Sequence, residues 1–216
     1  TVLLDMDGTL LDLHYDNHFW QQHLPDHYAR LHALLPDDAR RLLTEKFLAR
    51  QGDLAFYCID HWSRELELDI LPLKSETEHR IRYLPGALAL LEFLGERRIE
   101  KVLVTNAHRK TLALKDAAIG ICSQVDAHYA SHDFGLPKED PAFWALLAET
   151  HAFNPAKTVL IDDNMAVLLS ASQYALRTCV LPLQPDSCLP PRESVTQLAA
   201  GSAELLPVQS LFELVP

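Results

Sequence analysis

Long apolar runs are missing from this chain. No stretch approaches the ~18 consecutive apolar residues that a membrane-spanning helix needs, and no secretory leader is visible. Cysteine is sparse. Cys58, Cys122, Cys179 and Cys188 lie far apart with no C-x-x-C pair, which argues against a disulfide framework and for a reduced, cytoplasmic setting. Basic charge is also short: 19 Lys and Arg stand against 30 Asp and Glu, a net charge of −11. That balance disfavours nucleic-acid polymers and anionic membranes as partners, since both want extended basic patches. A small phosphorylated metabolite needs only a local positive site and stays open.

What is present is enough for a real core. Of 216 residues, 48% are hydrophobic and 23% charged, which suits one large domain or a core plus a smaller module. The chain opens on Val2, Leu3 and Leu4, an apolar run stopped by Asp5 and followed by Asp7, Gly8 and Thr9. Such a run reads as a buried parallel strand. The same pattern recurs at Lys101–Asn106 and Thr158–Asp163, and strands are expected at Ala127–Ser131 and Thr178–Leu181. Helical spacing lies between them: from Pro85-Gly86 through Leu94, over Arg109–Ala118 ended by Gly120, over Pro141–Thr150 and over Met165–Tyr174. Alternating strands and helices predict an α/β fold with a doubly wound parallel sheet.

Residues 13–83 break the alternation. They hold one glycine, Gly52, and almost no strand-like run. Phe19, Trp20, Leu24 and Tyr28 recur at helical spacing, Pro36 opens a second helix, and Asp53 is placed to cap a third running through Leu66. The expected organisation is therefore an α/β core of residues 1–12 and 84–182, a helical insertion of residues 13–83, and a proline- and serine-rich tail of residues 183–216. The tail should pack on the core, if loosely, and end in a short helix near Leu211.

Parallel strands bring their carboxyl-terminal tips to one edge, where ligands of open sheets bind. That edge gathers Asp5 and Asp7, then Thr105 and Asn106, then Asp162 and Asp163, with Lys138 on the loop between the last two sets. An Asx-type turn is the plainer reading of Asp5-Met6-Asp7-Gly8 alone, and a helix N-cap that of Asp163. Together, however, up to four carboxylates face one lysine. A divalent cation resolves that repulsion, and an all-oxygen ligand set of Asp5, Asp7, Asp162 and Asp163 points to Mg²⁺. His14/His18 and His23/His27 have i,i+4 spacing suited to zinc, but no companion ligand set is evident.

In order and spacing, Asp5-Met6-Asp7-Gly8-Thr9, Thr105, Lys138 and Asp162-Asp163 resemble the motifs of the haloacid dehalogenase superfamily of phosphohydrolases. The resemblance implies that Asp5 is a nucleophile forming an aspartyl-phosphate. It makes Asp7 an acid/base, and sets Thr105 and Lys138 to hold phosphoryl oxygens and Asp5. The Mg²⁺ ligands would be Asp5, the backbone carbonyl of Asp7 and Asp162, with Asp163 direct or behind them. It also makes the helical insertion a small cap. The dehalogenase branch is disfavoured, because it does not use an acid/base like Asp7.

Asp16-Asn17-His18-Phe19-Trp20, Tyr57–Ser63, Thr105-Asn106-Ala107-His108 and Phe134–Asp140 further resemble the bacterial GMP/IMP nucleotidase subfamily. That implies a purine 5′-nucleotide substrate, with Asn106, Lys138, Trp20 and His61 among the candidate binding residues; Tyr57 and Trp62 are further aromatics of the insertion. Core packing is the competing reading for the aromatics, and helix capping or surface exposure for Asn106, His108 and Arg109. A sugar-phosphate phosphatase, a phosphomutase and a non-catalytic binding protein are the alternatives.

Overall fold

The computed structural model describes residues 1–193 and 203–216. The chain opens on β1 (Val2–Leu4) and leaves the sheet at once. Helix α1 (His14–His18), a π turn at Phe19–His23 and α2 (Leu24–His32) run on through right-handed helical backbone at each junction. Next come α3 (Pro36–Leu48), a 3₁₀ turn at Leu54–Tyr57, α4 (Ile59–Glu65), α5 (Ile70–Ser75) and a 3₁₀ turn at Glu78–Arg80. The chain then returns through α6 (Ala87–Glu96), β2 (Lys101–Thr105), α7 (Arg109–Ile119) and β3 (Ala127–Ala130). It finishes with α8 (Pro141–Thr150), β4 (Val159–Ile161), α9 (Met165–Gln173), β5 (Thr178–Pro182) and β6 (Glu204–Val208).

The six strands form one parallel sheet in the order β3-β2-β1-β4-β5-β6. Apolar strands follow from burial on both faces. Val2 and Leu4 enter one cluster with Leu90, Leu91 and Leu112, whereas Leu3 enters the other with Phe143, Trp144 and Leu168. A third cluster, of Phe19, Leu24, Leu43, Ile59 and Trp62, lies wholly within the helical segment. An antiparallel bridge between Leu11 and Tyr83 closes the base of that segment.

Two expectations need correction. The helix read from Asp53 to Leu66 is broken at Cys58, whose backbone is extended (φ −91°, ψ 105°). The carbonyl of Phe56 accepts the Trp62 indole N–H at 2.8 Å, which ties the 3₁₀ turn before the break to the helix after it. The tail expectation covers residues 194–202, which lie outside the described residues; the described part of the tail does more than pack loosely on the core. It adds β6 to the sheet edge, burying Leu205 and Val208, and then a 3₁₀ turn at Leu211–Leu214. Pro207 hid this strand. Proline normally breaks a ladder, but on an edge strand its missing N–H can face away from the sheet.

Candidate active site

β1 pairs with β2 on one side and β4 on the other, so the winding direction reverses beside it. The crevice at such a reversal is where open α/β sheets bind ligands. Asp5 and Asp162 follow β1 and β4 and lie side by side, 6% and 1% exposed. Their backbone N–H groups donate to Ile161 and Val180 carbonyls at 2.9 and 3.1 Å, so the carboxylates emerge from the sheet ladder itself.

Lys138, 2% exposed, crosses between them. Its ammonium donates to Asp5 Oδ1 at 2.5 Å, to Asp162 Oδ2 at 2.7 Å and to the Val104 carbonyl at 2.9 Å. All three of its protons are thereby used. The loop under it is pinned as well: Lys138 N donates to Asn106 Oδ1 at 2.9 Å, and its carbonyl accepts from the Trp144 indole at 3.1 Å and from Ser170 Oγ. Asn106 also donates to Glu139 Oε2 at 2.9 Å. Thr105, at the tip of β2, accepts the Ala107 N–H at 3.0 Å on its hydroxyl oxygen.

Asp163 completes an acidic trio. One oxygen each from Asp5, Asp162 and Asp163 lies within 4.8 Å of the others, and all three residues are buried. Gly8 allows this approach: at φ +87° its backbone passes so close that an added Cβ would sit 2.6 Å from Asp163 Cγ. The N-cap of α9 is Asn164, which accepts the Ala166 N–H at 2.9 Å; Asp163 faces the cluster instead. Arg192, from the chain beyond β5, donates to the Asp163 carbonyl at 2.6 Å and to Oδ2 at 3.0 Å.

Burial dominates the electrostatics. It pushes the Asp5 carboxyl up to about 7 against the pull of Lys138, with Asp162 adding to the rise. Burial likewise lifts Asp162 to about 6 against Lys138, and Asp163 to about 7 with help from Asp5. Burial works against the Lys138 ammonium too, but Asp162 and Asp5 outweigh it and hold the charge firmly. Three buried carboxylates against Lys138 and Arg192 leave an excess of negative charge. The donor set is all oxygen, so a hard divalent cation fits it.

The Asp7 carboxylate turns away from this trio. It accepts from the Lys115 ammonium, which also reaches Asp16 Oδ2 at 2.5 Å. Asp16 Oδ1 in turn accepts from Lys74 at 2.8 Å. Lys74 and Lys115 are each 1% exposed.

A second set of contacts between the helical segment and the core runs through Glu139 and Asp60. Tyr57 donates its hydroxyl to Glu139 Oε1, which also accepts from Asn164 Nδ2 at 3.1 Å. Asp60 meets Lys110 at 2.7 Å and His108 at 3.8 Å. An open cavity of about 500 Å³ beside this network is lined by Leu54, Pro137, Glu139 and Pro141, among others.

Of the sequence-derived candidates, Asp5, Thr105, Asn106, Lys138, Asp162 and Asp163 come together. Asp7 stands beside them with its side chain toward Lys115. Trp20 and His61 spend their contacts inside the helical segment. Trp20 packs edge-on against Phe19 and Phe47. His61 packs on Trp62 and lines a cavity of about 250 Å³ with Lys46, Arg50 and Glu65. His108 caps α7, and Arg109 pairs with Asp133. The histidine pairs are occupied separately: His18 with Gln22 at 3.1 Å, His23 with Glu76 at 3.0 Å, and His14 beside Asp186 and Cys188. Asn164, Arg192, Lys74 and Lys115 lie outside the sequence-derived candidates, and Asp16 and Glu139 enter the sequence reading only within the segments that carry the nucleotidase resemblance. Lys115 has a local signal, as a lysine three residues after Leu112 on the inward face of α7.

A doubly wound parallel sheet, with an acid pair at its reversal and a buried lysine locking that pair, defines the class. The chain belongs to the haloacid dehalogenase-like hydrolases, whose family model matches residues 1–173, and it is an enzyme. Among particular relatives, it is 37% identical over 187 residues to the GMP/IMP nucleotidase YrfG of Escherichia coli K12, covering 87% of this chain and 84% of that protein. It is 24% identical over 215 residues to hexitol phosphatase A of the same organism, covering 95% and 92%. The solved structure of a HAD phosphatase from Thermococcus onnurineus superposes with a TM-score of 0.78 at 20% identity, over 99% of this chain and 95% of that one. No helix among the described residues is long and apolar enough to cross a membrane.

Proposed function

We propose that this enzyme is a cytoplasmic, Mg²⁺-dependent phosphomonoesterase that acts on purine nucleoside 5′-monophosphates through an aspartyl-phosphate. The observation that carries the reading is Asp5: a buried carboxylate at the sheet reversal, aligned by Lys138, with a second acid two residues on. An Asp5 oxygen attacks phosphorus as the bond to the leaving oxygen breaks, and Asp7 gives that oxygen its proton. Water then attacks the phosphorus, Asp7 takes the water's proton, and the bond to Asp5 breaks to release phosphate. Burial raises the Asp7 carboxyl against the pull of Lys115, a shift toward its proton-carrying form that suits an acid/base.

The three protons of Lys138 are committed, so its part is to fix Asp5 and balance charge. The Thr105 hydroxyl accepts the Ala107 N–H, which leaves its own proton for a phosphoryl oxygen. Mg²⁺, held by Asp5, Asp162 and the Asp7 carbonyl with Asp163 alongside, would offset repulsion between the phosphate and Asp5.

Residues 13–83 serve as the cap over the leaving group, with Tyr57 and Asp60 reaching the core. The purine preference draws support from the 37% identity to a GMP/IMP nucleotidase. An alignment of 187 residues has to run through much of the helical insertion, where leaving groups are discriminated. The test is phosphate release with Mg²⁺ across GMP, IMP, AMP, pyrimidine monophosphates and hexose phosphates, compared as kcat/KM. GMP and IMP should rank first. Sugar phosphates ranking first would overturn the nucleotidase reading and favour the kind of activity named for the hexitol phosphatase relative.

A further inference from the structure

The residues assigned to chemistry above leave one feature unexplained. Two buried lysines and a half-buried aspartate meet between α7 and the helical insertion, in contact with Asp7. Lys115 lies on α7, Asp16 in α1 and Lys74 in α5, so the cluster spans core and insertion. Charges alternate along it: Asp7, Lys115, Asp16, Lys74. Aromatic faces wrap the ammonium groups. Lys74 Nζ lies 4.7 Å from the Tyr15 ring centroid, 4.4 Å from Phe19 and 5.3 Å from Trp20, and Lys115 Nζ lies 5.3 Å from Tyr15.

Taking an ammonium out of water is costly, and a tie between two layers is made at least as well by apolar contacts. A purely structural tie therefore does not account for a lysine at this point. What Lys115 supplies that leucine cannot is a directed hydrogen bond to Asp7. Asp7 lies within a tight loop in which Leu10 and Leu11 both donate to the Met6 carbonyl. That loop fixes the Asp7 backbone and leaves its side chain to be aimed by its partner.

We propose that Lys115 is a positioning residue for Asp7, and that Asp16 ties its aim to the placement of the helical insertion. This rests on the reading of Asp7 as the acid/base. Asp16 accepts from Lys115 on one oxygen and from Lys74 on the other, so a shift of the insertion pulls on Lys115. Lys115 in turn aims Asp7 at the leaving oxygen in the first step and at the water in the second.

The experiment compares wild type with Lys115→Met, Lys115→Arg and Asp16→Asn on GMP and p-nitrophenyl phosphate, in steady state and in the first turnover. Nitrophenolate leaves without needing a proton, whereas the nucleoside alkoxide needs one. Lys115→Met should lower kcat for GMP about 10- to 100-fold, as expected for a misaimed proton donor, with KM changed less than about threefold. With p-nitrophenyl phosphate it should show a fast stoichiometric burst of nitrophenolate followed by slow turnover, because only the second step still needs Asp7. Lys115→Arg should recover part of the GMP rate, and Asp16→Asn should show the same substrate split at smaller size.

An unchanged GMP rate in Lys115→Met overturns the assignment. So does an equal loss of the GMP rate and the nitrophenolate burst, the signature of general distortion. Should Lys115→Met not fold, the presence or absence of the split in Asp16→Asn and Lys115→Arg decides the same question. A wild-type enzyme inert toward both esters overturns the phosphatase reading itself and is distinct from either result.

Discussion

Gly8→Ala offers the sharpest probe of the acidic trio. The substitution has two separable costs. At φ +87° an L-residue is strained by about 1–2 kcal/mol, which for a chain of this size lowers Tm by about 2–8 °C. The second cost is steric. The new Cβ would lie 2.6 Å from Asp163 Cγ and 2.8 and 2.9 Å from its carboxylate oxygens, so Asp163 must retreat by roughly 1 Å to restore van der Waals contact. It has little freedom to do so, since Arg192 grips both its carbonyl and its carboxylate.

Gly52→Ala is the matched control. Its φ is +91° with nothing within 4 Å of the added Cβ, so it carries the backbone strain without the clash. Both variants should melt lower. Only Gly8→Ala should lose about 100-fold in kcat/KM, the scale of a 1 Å misplacement, and need more Mg²⁺ for half-maximal rate. Phosphate release against Mg²⁺ concentration, with thermal melts alongside, reads both. Equal activity and equal Mg²⁺ requirement in the two variants would refute the placement of Asp163 at a cation site.

Asp5→Asn keeps the side-chain shape but removes the attacking charge; phosphate release should fall by about 10⁴-fold or more while the fold survives, and near-normal turnover would exclude covalent catalysis. Chelation should abolish phosphate release and added Mg²⁺ restore it; Mg²⁺ at 100 times its Kd should stabilise the fold by about 2.7 kcal/mol, and a melt indifferent to Mg²⁺ counts against the site. His132 supplies a pH prediction: both ring nitrogens are buried without partners, and burial, then the neighbouring His108, hold the imidazole down to about 4. The folded chain thus prefers the neutral ring, so the stability tied to it is intact above the unfolded value of about 6.5 and is lost as pH falls from there toward 4. With Mg²⁺ present, His132→Phe should flatten the fall in Tm between pH 7.5 and 5, and an unchanged slope would refute the assignment.

The strand tips were legible in the sequence because each rests on a local pattern. An apolar run stopped by an acid marks a buried strand and its functional end at once. Parallel pairing then brings Asp5, Thr105 and Asp162 to one edge without any knowledge of loops. Asp7, Lys138 and Asp163 stand at positions that match the motifs of the family the chain resembles, and the roles expected of them come from that resemblance. Sequence alone also marked residues 13–83 as helical, through spacing and the near absence of glycine.

Tertiary structure decided what touches what across the chain. Tyr57 finds Glu139 82 positions away, Arg192 finds Asp163 from a segment that reads as tail, and Lys115 finds Asp7 and Asp16 at separations of 108 and 99. No local periodicity encodes such pairings, because they depend on how the helical insertion and the chain beyond β5 fold back onto the sheet. Trp20 illustrates the converse: its helical spacing suits a core or a binding face, and only the structure shows it partly buried, packed edge-on against Phe19 and Phe47. Pattern fixes which groups reach the sheet edge, since that follows from hydrogen-bonded strands. The partners that aim those groups are chosen by packing between distant segments, which one-dimensional order does not specify.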